Sequence, residues 1–458
     1  MSLKNLAEGK EIEAECVVSS QRRNRGGFNY RVTDGKGDIE FFSKEEFRPG
    51  EGLFIVGTVV SEYGILRLKP KLVQRRDRVF EKVLQKAEEN VQVEIKKPLA
   101  DGLMEKLLPR IEKAARRLLA AKKTGRLCLL RFHNDADGIV GALAINSILN
   151  VKSFQQNSAI YRIKDAMMDL NLLRHESSPL AIFVDTGSGE ESMEGLRLLK
   201  AGGAEILIID HHPPSEEAEE LCSVFLSPWA VSEKETASSY PAGYLAIEVA
   251  RACGNEKPAE LAGVACAGDK SKILETGEKE REKALVLDFM ATYAEFRNKL
   301  EFYGEVFEKR ELYSSILSQA REKLERVGEE LKKRMKKKLD GPVIVYTVNL
   351  EDVSAREFPG KGKLTSQAFE NVLPEGAVVV IGVWEGGASL RISGEAVKRG
   401  ANANEIISSL KGTMGDFIIS GGGHGRAASL RIKTGFTKEV VGEIIRIISQ
   451  LQASQPQE

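Results

Sequence analysis

Ala204-Glu205-Ile206-Leu207-Ile208-Ile209-Asp210-His211-His212-Pro213-Pro214 reads as a short aliphatic strand ending in one carboxylate, two imidazoles and a proline pair. A nearly unbroken apolar run of this length is the signature of a strand covered on both faces of a parallel sheet, and the prolines end it. Two earlier stretches repeat the pattern. Leu127 to Phe132 breaks into His133-Asn134-Asp135-Ala136-Asp137-Gly138 before a helical pattern from Ile139 to Leu149, and Leu180 to Val184 breaks into Asp185-Thr186-Gly187-Ser188-Gly189. Ligands of open α/β sheets bind beyond the carboxyl ends of the strands, so three strands delivering acids and imidazoles at one end predict a site there. Carboxylates and imidazoles suit hard and borderline divalent cations, and two such ions close together clamp an in-line displacement at phosphorus.

With Gly268-Asp269-Lys270 added, these stretches resemble the four motifs of the DHH phosphoesterases, and Asp135-Ala136-Asp137-Gly138-Ile139 is similar to the form found in archaeal RecJ-like single-strand exonucleases. The resemblance implies two metal sites, one held by His133, Asp135 and Asp185 and the other by Asp137, Asp185, His211 and Asp269, with Asp185 bridging. It places Asp210 behind the histidines as the group that fixes their tautomer and puts His212 near the scissile phosphate, so that Asp137, Asp185 and His212 carry catalysis. Lys270 is either a phosphate contact or a surface charge. The sequence departs from the family in two places. His133 stands two residues before Asp135 where some members place a histidine four before, and Ser227-Pro228 replaces the commoner Asn-Pro. Four of the five histidines fall inside the motifs, counting His424 below, and only His175 lies elsewhere.

Composition sets limits on the rest. A chain of 458 residues with 42% hydrophobic content forms several packed domains. Its 67 Lys and Arg balance 67 Asp and Glu, so no global field draws in a polyanion and any nucleic-acid surface is local. Cys16, Cys128, Cys222, Cys253 and Cys266 include no Cys-x-x-Cys pair and read as small core residues in a reducing compartment. Neither a signal-peptide pattern nor a bilayer-length apolar run occurs, and the expectation is a soluble, cytoplasmic protein that does not engage a membrane.

The fold class expected is multidomain α/β. Residues 1–78 read as an OB-type barrel of five strands, Glu11 to Ser19, Phe28 to Thr33, Asp38 to Phe42, Gly52 to Val60 and Ile65 to Leu72. Its basic tips, Arg22, Arg23 and Arg25 and the run Arg75-Arg76-Asp77-Arg78, either neutralise phosphates or solubilise the loops. The aromatics Phe28, Tyr30, Phe41 and Phe42 either stack bases or fill the barrel. A helical connector follows at 79–125, then the parallel-sheet DHH lobe at 126–273. Within it, Ala237 to Gly243 opens a helix from Tyr244 to Ala252 with serines placed to cap it or meet an anion. Residues 274–340 read as a charged helical linker. The basic cluster Lys332 to Lys338 that closes it either lines a cleft or complements a helix C-terminus.

A second α/β lobe at 341–452, followed by a polar tail at 453–458, contains Gly421-Gly422-Gly423-His424. This is similar to the signature of the DHH-associated C-terminal domain, which implies that a glycine-rich turn and His424, with Arg391 on a preceding strand, bind a phosphate or terminal nucleotide. Together the readings point to hydrolysis of single-stranded DNA or RNA, releasing mononucleotides, by water activated between two Mn²⁺ ions, with Mg²⁺ as substitute. Helicase or replisome proteins are the partners expected from a role in replication or repair. Two alternatives remain at this stage. One is a phosphodiesterase acting on short oligonucleotides or nucleotide second messengers, and the other is a weakly active scaffold in a replication complex.

Overall fold

The computed structural model describes residues 2–96, 99, 101–176, 178–232, 235–296, 299–354 and 358–453. The chain divides into two compact units, Met1–Ala284 with Glu295–Gly304, and Leu285–Ala294 with Glu305–Glu458.

The first unit opens with a closed five-stranded barrel, order β1-β2-β3-β5-β4. Its strands are β1 (Glu11–Asn24), β2 (Gly27–Thr33), β3 (Asp38–Ser43), β4 (Gly52–Glu62) and β5 (Ile65–Arg75). β1 alternates exposed and buried residues from Glu11, and pairs with both β2 and β4. Short parallel pairing of Glu40 with Arg67 and Phe41 with Leu68 closes the barrel. Tyr30, Phe41 and Phe47 meet inside, with Tyr30 ring centroids 5.3 Å from each of the other two. The Tyr30 hydroxyl donates to the Glu45 carbonyl (3.0 Å) and accepts from the Phe47 amide (3.0 Å), which satisfies a buried polar group.

Helix α1 (Val79–Asn90) lays Val79, Phe80, Val83, Leu84 and Ala87 against Val17 of the barrel and Ala120 of α2 (Gly102–Thr124), so the barrel and the next layer share a core. Asp101 caps α2 by accepting from the amides of Leu103 and Met104. The parallel sheet follows, order β10-β9-β8-β6-β7. It is built from β6 (Cys128–His133), α3 (Ala136–Ile148), β7 (Lys152–Gln156), α4 (Ile163–Leu173), β8 (Leu180–Val184), α5 (Met193–Ala201), β9 (Glu205–Ile209), α6 (Ala218–Leu221) and β10 (Val224–Leu226). Every residue of β8 is buried, as the run of aliphatics predicts for a strand covered on both faces. Helices α7 (Ala242–Ala252) and α8 (Ala262–Gly268) complete this layer, and α9 (Glu278–Tyr293) follows.

After α10 (Phe302–Glu305), the second unit holds α11 (Arg310–Arg334) and a mixed six-stranded sheet, order β11-β12-β13-β14-β16-β15. Its elements are β11 (Lys336–Leu339), β12 (Ile344–Asn349), α12 (Lys361–Val372), β13 (Val378–Trp384), β14 (Gly387–Ile392), α13 (Gly394–Lys398), α14 (Ala403–Met414), β15 (Ile418–His424), β16 (Ala427–Ile432) and α15 (Thr437–Ala453). One face of the sheet packs on residues of α14 and α15. The other meets Val327 and Leu331 of α11 and Leu364 and Ala368 of α12.

Two local readings of the sequence are corrected here. The basic cluster ends a helix only in part: Lys332, Lys333 and Arg334 form the last turn of α11, where they complement its C-terminus, but Lys336 to Leu339 form an edge strand antiparallel to β12. Lysines on an edge are compatible with a strand, because their side chains reach water and repel a further chain. The three glycines are not a turn either. They lie in β15, Gly421 opposite Leu430, Gly422 opposite Ser429 and Gly423 opposite Ala428. At Gly423, φ is +154° and a Cβ would fall 2.2 Å from the Ala427 carbonyl, so glycine is needed for this close pairing. Residues 454–458 of the expected tail lie outside the described residues, and among those described no helix is long and apolar enough to cross a membrane.

Candidate metal centre

β6 lies between the edge strand β7 and the central strand β8, and β8 is followed on its other side by β9, so the chain leaves the β6 and β8 ends toward opposite flanks and a crevice opens between them. Into it the strand ends bring His133, the last residue of β6, and Asp135 just beyond it, Asp185 after β8, and His211 and His212 after β9. The first turn of α3 adds Asp137, and the C-terminus of α8 adds Asp269.

Three groups of these residues have donor atoms mutually within 4.8 Å: His133, Asp135 and Asp185; Asp137, His211 and Asp269; and Asp185, His211 and His212. Asp185 joins the first group to the third, and His211 joins the third to the second. His133 Nδ1 lies 2.8 Å from Asp135 Oδ2 and 3.2 Å from Asp185 Oδ2. His211 Nε2 lies 3.0 Å from Asp269 Oδ2 and 3.4 Å from Asp185 Oδ1.

Asp185 holds φ at +58° directly after its strand, a left-handed conformation that Asp tolerates better than most residues but that still costs roughly 1 kcal/mol or more. Its amide remains in the sheet pattern, donating to the Ile209 carbonyl at 2.9 Å. Its Oδ1 is buried with no hydrogen-bond partner. A buried, orphaned carboxylate oxygen among imidazoles and other carboxylates is the arrangement a divalent cation satisfies. The donor set, oxygen-rich with imidazole and without cysteine, therefore fits such ions.

Backbone groups hold the ligands in place. Asp137 is fully buried, and its carboxylate accepts from the amides of Ala242 (2.8 Å) and Gly243 (2.9 Å), the first residues of α7. The helix N-terminus thereby stabilises a charge that burial disfavours. A Cβ on residue 243 would stand 2.7 Å from Asp137 Oδ1, so only glycine allows the approach. His211 donates from Nδ1 to the Ser238 carbonyl at 2.9 Å, which leaves Nε2 to face Asp185 and Asp269. Trp229 Nε1 donates to the His211 carbonyl at 2.9 Å. Asp210, also fully buried, accepts at Oδ1 from His212 Nδ1 (2.8 Å) and from the amides of His211 (2.8 Å) and His212 (3.1 Å). At Oδ2 it accepts from the Ser188 hydroxyl (2.6 Å).

Electrostatics follow from this crowding. Burial pushes the Asp137 carboxyl well above its ordinary range, reinforced by the charges of Asp269 and Asp185, and burial with Asp135 also raises Asp185. Burial opposes the charged imidazoles, but Asp135 and Asp185 outweigh it at His133, Asp269 and Asp185 at His211, and Asp210 at His212, so all three histidines are raised. Asp210 moves the other way. Burial is overcome there by His212 and the donated hydrogen bonds, which hold it below the usual carboxylate range. Without metal the cluster thus retains protons that a cation would displace.

Residues 129–268 match the DHH family, N-terminal domain, and residues 340–454 match the DHHA1 domain. The chain thus carries a DHH domain and a DHHA1 domain. This DHH protein is 24% identical over 486 residues to an uncharacterised protein of Methanocaldococcus jannaschii. That match covers 89% of the chain but 63% of the relative, so the chain spans less than two thirds of the relative's length. Its fold matches a DHH domain described as a member of a family of ribosomal proteins, with TM-score 0.72, 24% identity and coverage of 81% of this chain and 97% of that one. It also matches RecJ of Thermus thermophilus, solved in complex with Mn²⁺, with TM-score 0.51, 17% identity and coverage of 78% and 56% respectively.

Elsewhere in the DHH protein the expected residues fare differently. Arg22, Arg23 and Arg25 are exposed at and beyond the end of β1. Tyr30 and Phe41 are barrel core, Phe28 is half-buried and Phe42 is 41% exposed, so of the four aromatics Phe42 presents the most surface to a base. Lys270 is exposed, with φ at +53° after Asp269. Arg391 is committed to its own fold: it donates to the hydroxyls of Ser366 (2.9 Å) and Ser389 (3.2 Å) and to the carbonyls of Leu390 (2.9 Å) and Gly362 (3.2 Å). The His424 side chain lies outside the described residues, and only its backbone place at the end of β15 is described. Ser227, the departure from Asn-Pro, accepts from the Trp229 amide at 3.3 Å and so positions the tryptophan that contacts His211.

Proposed function

We propose that this protein hydrolyses phosphodiester bonds of single-stranded nucleic acid, using two divalent cations at the DHH centre. The observation that carries the reading is Asp185: strained, buried, with an unpartnered oxygen, and placed both in the group with His133 and Asp135 and in the group with His211 and His212, where His211 leads on to Asp137 and Asp269. His133, Asp135 and Asp185 would hold one ion, and Asp137, His211, Asp269 and Asp185 the other. When bound, such a pair supplies Lewis acidity toward phosphoryl oxygens and a lowered pKa for water. The resemblance to a Mn²⁺-bound fold and the mixed carboxylate and imidazole set favour Mn²⁺, with Mg²⁺ as a weaker substitute.

The chain's own groups divide the remaining work. The Ser238 carbonyl and the α7 amides fix His211 and Asp137, so that their donor atoms need no rearrangement. Asp210 holds His212 through Nδ1 and favours its protonated form, leaving Nε2–H to donate to a phosphoryl or leaving-group oxygen. Lys270 and, in the second unit, Gly421 to Gly423 with His424 are assigned phosphate contacts. Arg391 is assigned to positioning, since its hydrogen bonds tie β14 to the start of α12. The five cysteines are free, consistent with a reducing compartment.

The barrel favours strands over small nucleotides as substrate. Arg22, Arg23 and Arg25 form no ion pair among the described residues, whereas Arg75 and Arg76 pair with Glu45 and Glu15. Because the barrel shares its core with α1, substitution is a cleaner test than deletion. Replacing the three free arginines with alanine is expected to flatten the slope of log affinity against log salt by roughly 2, at about 0.7 per lost single-strand contact. Hydrolysis of dinucleotides should be unchanged. Filter binding across a salt series, with matched 5′- and 3′-labelled DNA and RNA digestions, reads both. An unaltered slope would make the barrel a protein-docking module, and absence of digestion of every strand would remove the nuclease reading.

A further inference from the structure

A cavity of about 590 Å³ lies against the edge strand β7 and under α4, and is also lined by Arg131 of β6, the strand that ends in His133. Its walls include Phe154, Gln156, Asn157, Arg162, Met168 and Leu172. Gln156 is 7% exposed, yet its amide nitrogen has no hydrogen-bond partner. A buried, unsatisfied donor costs on the order of 1–3 kcal/mol, and a ligand acceptor would remove that cost. Met168 and Leu172, by contrast, are 53% and 42% exposed, an apolar lip on a helix whose other side is packed.

The cavity is joined to the catalytic motif. In the parallel register His133 sits opposite Gln156 and Arg131 opposite Phe154, so these four side chains leave the same face of the sheet. The Asn134 amide donates to the Gln156 carbonyl at 2.9 Å, and its side chain donates to Asn157 Oδ1 at 3.0 Å. Arg131 is already engaged: it pairs with buried Asp169 and stacks 4.8 Å over Phe154. Arg162 is half-buried and forms no ion pair among the described residues.

We propose that this cavity is a nucleobase subsite, which takes the base of the nucleotide next to the scissile phosphate. Its chemistry fits a flat heteroaromatic ring. Phe154, Leu172 and the polarisable Met168 supply apolar contact, while two neutral amides meet the polar edge of a base. Arg162 offers a charge to the phosphate that such a nucleotide carries. The volume falls in the range of small-ligand pockets. The assignment rests on the nuclease reading for its place in the reaction, but base binding itself does not require turnover.

The test is equilibrium binding of adenosine and uridine 5′-monophosphates against base-free ribose 5-phosphate, on the full-length protein with Mn²⁺. The wild type is expected to bind the nucleotides about tenfold more tightly than the sugar phosphate. Gln156→Leu removes the donor while keeping bulk, and Met168→Trp narrows the cavity from an exposed position. Both are expected to reduce that preference to about threefold or less. If Gln156→Leu fails to fold, Met168→Trp decides. Equal binding of nucleotide and sugar phosphate by the wild type, or an undiminished preference in the folded variants, overturns the subsite. A preference that the variants abolish, in a protein that cleaves no phosphodiester, keeps the subsite and removes the nuclease reading instead.

Discussion

Asp185→Asn is expected to lower phosphodiester hydrolysis on the order of 10⁴-fold, about 5 kcal/mol of transition-state stabilisation. The substitution isolates charge. Asparagine keeps the size of aspartate and tolerates the left-handed φ of +58° at this position. The backbone hydrogen bond from residue 185 to the Ile209 carbonyl is untouched, so the sheet should form as before. What disappears is the carboxylate whose oxygens face His133 on one side and His211 and His212 on the other. In the metal-free protein the loss should be neutral or stabilising, because burial and Asp135 already push this carboxyl toward its neutral form. The expected pattern is thus an unchanged or higher melting temperature in chelator together with lost turnover. Full turnover in the folded variant would refute a bridging role.

The second large effect concerns pH. Asp137, Asp185, His133, His211 and His212 all bind protons more tightly folded than unfolded. A group raised on folding contributes stability that is fully present below its unfolded pKa and is lost as pH rises through the folded value. For the carboxyls that loss begins near pH 4, and for the histidines near pH 6.5. Asp210 has the opposite sign, but its contribution is complete above the ordinary carboxylate range and adds no slope near neutrality. Chelator-stripped protein should therefore lose stability between about pH 6.5 and 8. Mn²⁺ should restore it, by roughly 2.7 kcal/mol per site at 100 times the dissociation constant, with a larger gain at pH 8 than at pH 6 and with proton release on binding. Melting curves with and without Mn²⁺ across this range test the sign. A stripped protein that gains stability toward pH 8 would contradict it.

The parallel-sheet lobe was legible because β6, β8 and β9 are continuous aliphatic runs that end abruptly in acids and imidazoles, a pattern few other arrangements produce. The side chains at those ends could be named for the same reason. The supporting groups could not. The amides of Ala242 and Gly243 and the carbonyl of Ser238 act through the backbone, which residue type does not reveal, and the serines expected to cap α7 instead present carbonyls to His211 and Ser271. Ser188 was visible only as a small residue after Asp185, yet its hydroxyl completes the Asp210 cradle. In the barrel, alternation identified strands but not which face was inside, so Tyr30 and Phe41 could not be separated from Phe42. Gly421 to Gly423 and Lys336 to Leu339 were misread because glycine and lysine runs have low strand propensity and form strands here at sheet edges. Gln156, one polar residue at the end of a short strand, carried no signal in sequence at all.

The central claim is that two cations sharing Asp185 make this centre hydrolytic. Calorimetric titration of Mn²⁺ into metal-stripped protein, with cleavage of an end-labelled single strand followed at each addition, tests it most directly. The account predicts no cleavage in chelator, two ions bound per chain, and activity that rises as the second ion binds. Undiminished cleavage by the stripped protein, or full activity with one ion bound, would contradict it.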